Sequence, residues 1–225
     1  MTKKSSKVPL NERIRYQLGI MRKQGLITYA KGFVIRLYYI RLSKKYGFSR
    51  WHVMPCELQP YATDIVKAIN AMPGSRNFTV CEIGCGLGNI IRNIKAEHKY
   101  GYDINPNVID CAKHLRGGVR FSVGSFEGAA KELPVSIDVL IVVDWIHVLP
   151  SEEVKRLFDI LLGAVEVKCI VTDSVDDARK RQHPSLYQHN LGEIFPEYTS
   201  RYLTEYDYDR VYILEKKSKY SCRST

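Results

Sequence analysis

The feature that most constrains this chain is a short apolar segment ending in three alternating glycines. Residues 80–88 read Val-Cys-Glu-Ile-Gly-Cys-Gly-Leu-Gly, which places Gly84, Gly86 and Gly88 at every second position. A strand that runs through such a turn into a helix puts a glycine loop at the carboxyl end of a sheet, where open α/β sheets bind ligands. Glycine suits this place because the backbone turns sharply and no Cβ obstructs the ligand. The segment therefore predicts an α/β sheet with a binding loop.

Apolar segments of strand length recur along the chain, separated by segments of helix length. Strands are predicted at 78–83, 99–103, 119–123, 137–143, 168–172, 198–205 and 211–216, and helices at 60–71, 89–97, 107–115 and 151–162. An insert over 176–193 is predicted as helix or loop. Strands separated by helices pair in parallel through right-handed crossovers. We therefore expect a Rossmann-like, doubly wound, mostly parallel seven-stranded sheet with an antiparallel edge hairpin.

Positive charge is concentrated at the N-terminus. Residues 1–50 hold thirteen of the 34 Lys and Arg but one of the 24 Asp and Glu, Glu12. Within 14–46 the apolar runs are interrupted by cations and are far shorter than the roughly 20 residues that cross a bilayer. One or two helices are predicted there, with a break near Gly25 or Gly32. We divide the chain into a basic helical N-terminal arm, residues 1–56, and one α/β domain, residues 57–225.

The six cysteines do not indicate a metal site or a disulfide framework. Cys81 and Cys85 fall inside the glycine turn, and no second Cys/His pair at zinc spacing accompanies them. No metal is predicted. Because no cleavable signal pattern opens the chain, we expect reduced thiols and a cytoplasmic location.

Three details around the glycine turn narrow the choice of ligand. The dinucleotide pattern needs a glycine at the sixth position from Gly84, where this chain has Asn89. Glu82 can accept hydrogen bonds from the ammonium group of an amino-acid-bearing cofactor. The next strand ends in Asp103, whose carboxylate can accept both ribose hydroxyls of an adenosine, and Ile104 beside it can cover the adenine face. Together these details favour a cofactor other than a dinucleotide.

With these motifs, residues 57–225 resemble the class I S-adenosylmethionine-dependent methyltransferase family. The resemblance implies S-adenosylmethionine as the cofactor, with Glu82 toward its methionine part and Asp103 on its ribose. Two later segments, 123–126 and 142–150, also look like family motifs, although Ser125 stands where an acid is usual. The cofactor residues implied are Glu82, Gly84, Cys85, Gly86, Gly88, Asp103, Ile104, Ser125, Phe126, Asp144 and Trp145.

Methyl transfer requires alignment of the acceptor and a route for its proton. His147 and Asp144 are the candidate bases, although His147 also suits packing against the following helix. Candidate substrate contacts are Trp51, Tyr61, His183 and His189, which precede the first strand or follow the fifth strand of the predicted sheet.

The acceptor is inferred from a missing motif and a weak resemblance. Base-amine methylation typically uses Asp, Asn or Ser followed by two prolines and an aromatic residue, and residues 144–147 read Asp-Trp-Ile-His. A hydroxyl or carboxyl group of a small molecule or glycan is therefore favoured. The Trp-His-x-x-Pro segment at 51–55 resembles small bacterial methyltransferases of surface-glycan synthesis, which implies a surface-polysaccharide or lipid-linked acceptor.

Three interpretations of the basic arm remain open. Its cations suit anionic headgroups at the inner membrane face, with Phe33, Tyr38, Tyr39 and Ile40 entering the interface. They also suit nucleic-acid phosphates, and hence an RNA methyltransferase that docks through the arm. In the third interpretation the arm is a structural cap over the substrate side. A non-catalytic binding or scaffold protein on the same fold is a further alternative.

Overall fold

A computed structural model describes residues 10–206 and 209–217. Lys3, Lys4 and Lys7 of the predicted arm and Cys222 lie outside the described residues. The strands are β1 Thr79–Ile83, β2 His98–Asp103, β3 Arg120–Val123, β4 Ser136–Val142, β5 Glu166–Val175, β6 Tyr198–Tyr206 and β7 Asp209–Lys216. The α-helices are α1 Leu10–Gln24, α2 Leu26–Tyr46, α3 Pro60–Asn70, α4 Pro106–Lys113, α5 Phe126–Glu132, α6 Ser151–Ala164, α7 Asp177–Gln182 and α8 Leu191–Ile194.

The strands form one sheet in the order β3-β2-β1-β4-β5-β7-β6. Strands β1 to β5 are parallel, whereas β7 pairs antiparallel with both β5 and β6. The predicted Rossmann-like sheet with its antiparallel edge hairpin is confirmed. The strand order reverses between β1 and β4, and such a reversal opens a crevice at the carboxyl ends of the two strands.

Both faces of the sheet are buried. Cys81 and Ile83 of β1 belong to the layer that includes α5, α6 and α8. Val80 belongs to the opposite layer, with α3, α4 and the isoleucines of segment 90–94. Because alternate residues of a strand point to opposite faces, a strand between two layers of helices is apolar at nearly every position. The long apolar runs of β1, β4 and β5 reflect this double burial.

The helix predicted at 89–97 is wrong. The chain forms only a single 3₁₀ turn at Ile91–Asn93 before it becomes extended at Ile94. Ile90, Ile91 and Ile94 are buried against the sheet, and β-branched side chains weaken helix propensity. A helix that was not predicted, α5, follows β3 instead.

The arm forms two helices that break at Gly25, where φ is +84°. Gly32, the other predicted break, lies within α2, and a Cβ there would crowd Leu58. The inner face of α2 therefore rests on the segment 50–58, and Lys31 pairs with Glu57 at 3.0 Å. Within the described residues, no helix combines the length and apolar character needed to cross a membrane.

Candidate active site

A cavity of about 600 Å³ opens at the carboxyl ends of β1, β2 and β4. Its volume lies in the range of sites that hold cofactors and small molecules. It brings together most of the predicted site residues, namely Trp51, Tyr61, Glu82, Gly84, Cys85, Gly86, Asp103, Ile104, Ser125, Asp144 and Trp145.

The glycine loop lies along one wall of this cavity. Gly84, Gly86 and Gly88 have φ values of +76°, +54° and +74°, a conformation that residues with a Cβ rarely adopt. A Cβ at Gly84 would overlap the indole nitrogen of Trp145, which donates a hydrogen bond to the carbonyl of Ile83 at 3.1 Å. Gly84 must therefore be glycine for both backbone and packing reasons.

Asp103 ends β2 and lines the cavity with its carboxylate. Oδ2 accepts the backbone N–H of Gly86 at 2.9 Å, and Oδ1 accepts that of Asn105 at 2.9 Å. A carboxylate offers about four acceptor sites, so about two remain for hydroxyl groups in the cavity. Asn105 itself caps α4 by accepting the N–H groups of Asn107 and Val108. Asp103 is therefore not needed as the cap of that helix.

Glu82 lies at the deep end of the cavity and is buried. Its Oε2 accepts the backbone N–H of Ile91 at 3.0 Å. Burial raises the pKa of Glu82 to about 8. A positively charged group placed beside this carboxylate would favour its ionised form, which suits the ammonium end of an amino acid.

The far end of the cavity is bounded by Ile104 and Ser125. Ile104 is 77% exposed at the cavity rim, an apolar surface suited to a flat ring. Ser125 precedes α5, and its hydroxyl forms no cap hydrogen bond with that helix. Phe126 is fully buried and packs edge-on to Trp145 with ring centroids 6.2 Å apart. Among the predicted cofactor residues, Phe126 and Gly88 do not line the cavity.

These groups fit S-adenosylmethionine. The buried Glu82 suits the ammonium group, the remaining acceptor sites of Asp103 suit the ribose hydroxyls, and Ile104 suits the adenine. Gly84 and Gly86 add no side chain between these groups, and the indole of Trp145 packs directly against Gly84.

Asp144 follows β4 and has a φ of +71°, the one positive value at a non-glycine position among the described residues. Such strain persists where surrounding contacts fix the residue, and it clusters at functional sites. The hydroxyl of Tyr61 donates to its Oδ2 at 3.3 Å. The Tyr206 hydroxyl lies 3.1 Å from Asp144 Oδ1 and 2.8 Å from Asp173 Oδ2.

Asp173 stands behind Asp144, away from the cavity. Its Oδ2 also accepts the backbone N–H of Asp144 at 3.1 Å. Burial raises the pKa of Asp173 to about 7. Because the Tyr206 hydroxyl carries a single proton, it donates to one of the two carboxylates at a time. The arrangement links a cavity carboxylate to a buried one through a tyrosine.

His147 does not line the cavity. It is buried, with Nδ1 3.9 Å from Oδ2 of Asp209, and a potential ligand atom of Asp173 lies within 4.8 Å of both. Arg179 lies 3.4 Å from the other oxygen of Asp209. Burial, and after it the charge of Arg179, lower the pKa of His147 to about 4. His147 is therefore a neutral imidazole at physiological pH.

The two histidines of the insert lie apart from the cavity. The ring of His189 is buried. It forms hydrogen bonds with Ser151 Oγ at 2.9 Å and with the carbonyl of Ile146 at 3.0 Å. It borders a second, smaller cavity of about 250 Å³. His183 is exposed at the end of α7. The structure thus does not bring either one to Asp144.

Several contacts of the site join segments that are distant in the sequence. Tyr206 and Asp173 come from β6 and β5 and meet Asp144 only in the folded sheet. His52 lies against the glycine loop, since a Cβ at Gly86 would be 3.1 Å from its Nδ1. Asn89 donates to the carbonyl of Met54 at 2.7 Å, which ties the segment 50–58 to the glycine loop.

Comparison with known proteins bears on the type of domain and its fold. Residues 81–163 match the protein-family profile described as a methyltransferase domain. Magnesium protoporphyrin IX methyltransferase from Synechocystis PCC 6803, solved with bound SAM, shares 17% identity at a TM-score of 0.57, covering 83% of this chain and 97% of that one. No curated protein sequence matches significantly.

Two further solved structures share the fold. The N-methyltransferase NodS from Bradyrhizobium japonicum WM9 has 14% identity and a TM-score of 0.54, covering 70% of this chain and 95% of that one. An O-methyltransferase family protein from Burkholderia thailandensis has 15% identity and a TM-score of 0.52, covering 71% and 57%. The profile match over residues 81–163, the strand order and the fitted cavity lead to one conclusion: this chain contains a methyltransferase domain with a Rossmann-like fold.

Proposed function

We propose that this enzyme methylates an oxygen atom, a hydroxyl or carboxyl group, of a small-molecule or glycan acceptor. The observation that carries the proposal is the carboxylate of Asp144: this residue lines the cavity, and the hydroxyls of Tyr61 and Tyr206 hold its two oxygens. A hydroxyl acceptor must lose a proton as its oxygen is methylated, and a fixed carboxylate beside that oxygen can take the proton.

When bound, S-adenosylmethionine supplies an electrophilic methyl group on sulfur. Glu82 would hold its ammonium group and Asp103 its ribose hydroxyls, with the glycine loop alongside the part of the cofactor between them. Asp144 then accepts the proton of the acceptor hydroxyl. The Tyr206 hydroxyl lies between Asp144 and Asp173. It can donate a hydrogen bond to Asp144, or it can take the proton from Asp144 while giving its own proton to Asp173. His147 is too deeply buried to touch the acceptor, and we assign it a positioning role.

The rim of the cavity suits a partly apolar acceptor such as a sugar ring. Trp51 is 74% exposed there, and Val148 also lines the rim with an exposed side chain. An exposed indole offers an apolar face for packing, together with an N–H donor. This rim supports the inference of a glycan or an aromatic small molecule.

The test is transfer of radiolabelled methyl from S-adenosylmethionine to panels of phenols, carboxylic acids and glycans, including lipid-linked glycans. Amines and RNA are included as competing acceptor classes. We expect base-stable label on a hydroxyl, or base-labile label if a carboxyl group is methylated. Label only on amines or RNA would refute oxygen methylation. Asp110→Asn, an exposed change on α4, serves as the matched control for Asp144→Asn.

A further inference from the structure

The outer face of α2 exposes a stripe of aliphatic side chains. Ile27 and Val34 are 86% and 68% exposed, and Leu26 and Leu37 are also exposed. Their spacing places them on one side of the helix, while Gly32, Tyr39 and Ser43 are buried on the other. Ile14 and Leu18 of α1 add to the exposed apolar surface. Contiguous apolar patches of this kind mark binding surfaces more often than scattered single residues do.

The same face continues into a cluster of cations. Arg41, Lys44 and Lys45 are exposed on the turns that follow Leu37, and α1 adds exposed Arg15 and Arg22. Residues 10–56 contain one acidic residue, Glu12. The outer face therefore combines apolar side chains with exposed positive charge.

We propose that this outer face of α1 and α2 docks peripherally on an anionic phospholipid surface. Aliphatic side chains gain free energy on transfer from water to acyl chains, and nearby Lys and Arg side chains are attracted to anionic headgroups. A protein surface that binds single-stranded RNA would instead combine cations with exposed aromatic rings on which bases stack. Of the aromatic residues of α2, Tyr39 is buried, and Phe33 and Tyr38, at 39% and 49%, are less exposed than any of the four aliphatic side chains. The exposed aliphatic residues thus favour lipid over RNA.

The docking face lies on the helix that supports the cavity rim. The inner side of α2 contacts the segment 50–58 through Gly32 against Leu58 and Lys31 with Glu57. That segment supplies Trp51, His52 and Met54 to the cavity wall. Docking through the outer side of α2 therefore leaves the contacts between its inner side and the segment 50–58 in place.

The experiment is flotation of the full chain with vesicles of phosphatidylcholine alone and of phosphatidylcholine with about 30 mol% phosphatidylglycerol. We expect binding to the anionic vesicles only, weakening as salt rises from about 0.1 to about 0.5 M because screening shortens the reach of the charges. Val34→Glu and Lys45→Glu should each lower the partition coefficient about fivefold or more. Val135→Glu and Lys131→Glu, exposed changes on the α/β domain, should not change it.

Equal binding to neutral and anionic vesicles, no binding to either, or wild-type binding by Val34→Glu would overturn the proposal. Light scattering in solution supplies a further check. A dimer that Val34→Glu dissociates, without vesicle binding, would identify the face as a contact between two copies and overturn lipid docking. RNA binding lost in Val34→Glu without vesicle binding would also overturn it. Thermal melting of each variant verifies that these exposed substitutions leave the fold intact.

Discussion

The rings of Tyr61 and Tyr206 stack with centroids 3.8 Å apart and an interplanar angle of 20°. Tyr61 belongs to α3 and Tyr206 ends β6, so the pair joins the first helix of the α/β domain to the edge strand of the sheet. Their hydroxyls meet the two oxygens of Asp144. The stacked pair therefore fixes the one carboxylate to which we assign proton transfer.

Replacing Asp144 tests this assignment. Asp144→Asn keeps the shape of the side chain but removes the base, so we expect kcat to fall about 10²-fold to 10³-fold. The affinity for S-adenosylmethionine should stay within about threefold, since Asp103 and Glu82 are untouched. Steady-state kinetics with the identified acceptor and calorimetric cofactor titration provide the two readouts.

Tyr206→Phe provides an intermediate case. It removes the hydroxyl between Asp144 and Asp173 but keeps the stacked ring, and Tyr61 still donates to Asp144. We expect a smaller loss of kcat than in Asp144→Asn. Unchanged kcat in Asp144→Asn would exclude this residue as the base, whatever the effect at Tyr206.

The raised pKa of Glu82 predicts how stability depends on pH. The unfolded chain loses this proton near 4.5, whereas the folded protein holds it to about 8. Between these values the folded state binds more protons, so its stability falls as the pH rises. Glu82→Gln has no proton to lose. From about pH 5 to about pH 9, the free energy of unfolding of the wild type should fall ~4 kcal/mol more than that of the variant.

Urea unfolding at a series of pH values measures this difference. Glu152→Gln, an exposed change on α6, should keep the wild-type pH profile. Parallel profiles for Glu82→Gln and the wild type would show that burial of Glu82 does not shift its titration.

Two glycine substitutions should act in opposite directions. Gly84→Ala introduces a side chain at a positive φ and against Trp145, so we expect a loss of ~1–3 kcal/mol in stability together with weaker cofactor binding. Gly163 lies near the end of α6 with open space at its Cβ position. Gly163→Ala should therefore raise stability by up to ~1 kcal/mol. Urea unfolding compares both with the wild type, and a neutral Gly84→Ala would contradict the geometry of the loop.

The sequence predicts well what is encoded locally. The glycines at 84, 86 and 88 and the acid at 103 are recognisable because a strand-to-helix turn and the end of the next strand always meet at one sheet edge. The cavity unites Gly84, Gly86 and Asp103 as expected, whereas Gly88 does not line it. The strand pattern likewise predicts the edge hairpin, because no helix-length segment separates the last two strands.

Contacts between segments that are distant in the sequence are harder to predict. Nothing around Tyr206 or Asp173 indicates that they reach Asp144, because that meeting depends on β7 lying between β5 and β6. Segment 89–97 has the length and place of a helix between two strands, yet its isoleucines are buried against the sheet and form only a 3₁₀ turn. The orientation of α2, with Tyr39 inward and Ile27 outward, likewise follows from packing on residues 50–58.

The central claim is that the cavity binds S-adenosylmethionine through Asp103. Isothermal calorimetric titration of the wild type should give saturable binding at one site. Asp103→Asn removes the negative charge from this hydrogen-bond acceptor. The affinity of the variant for S-adenosylmethionine should fall about tenfold to a hundredfold, since hydrogen bonds to charged groups contribute about 1.5–3 kcal/mol. Asp110→Asn should bind as the wild type does. Absence of binding heat in the wild type, or equal affinity in Asp103→Asn, would contradict the account.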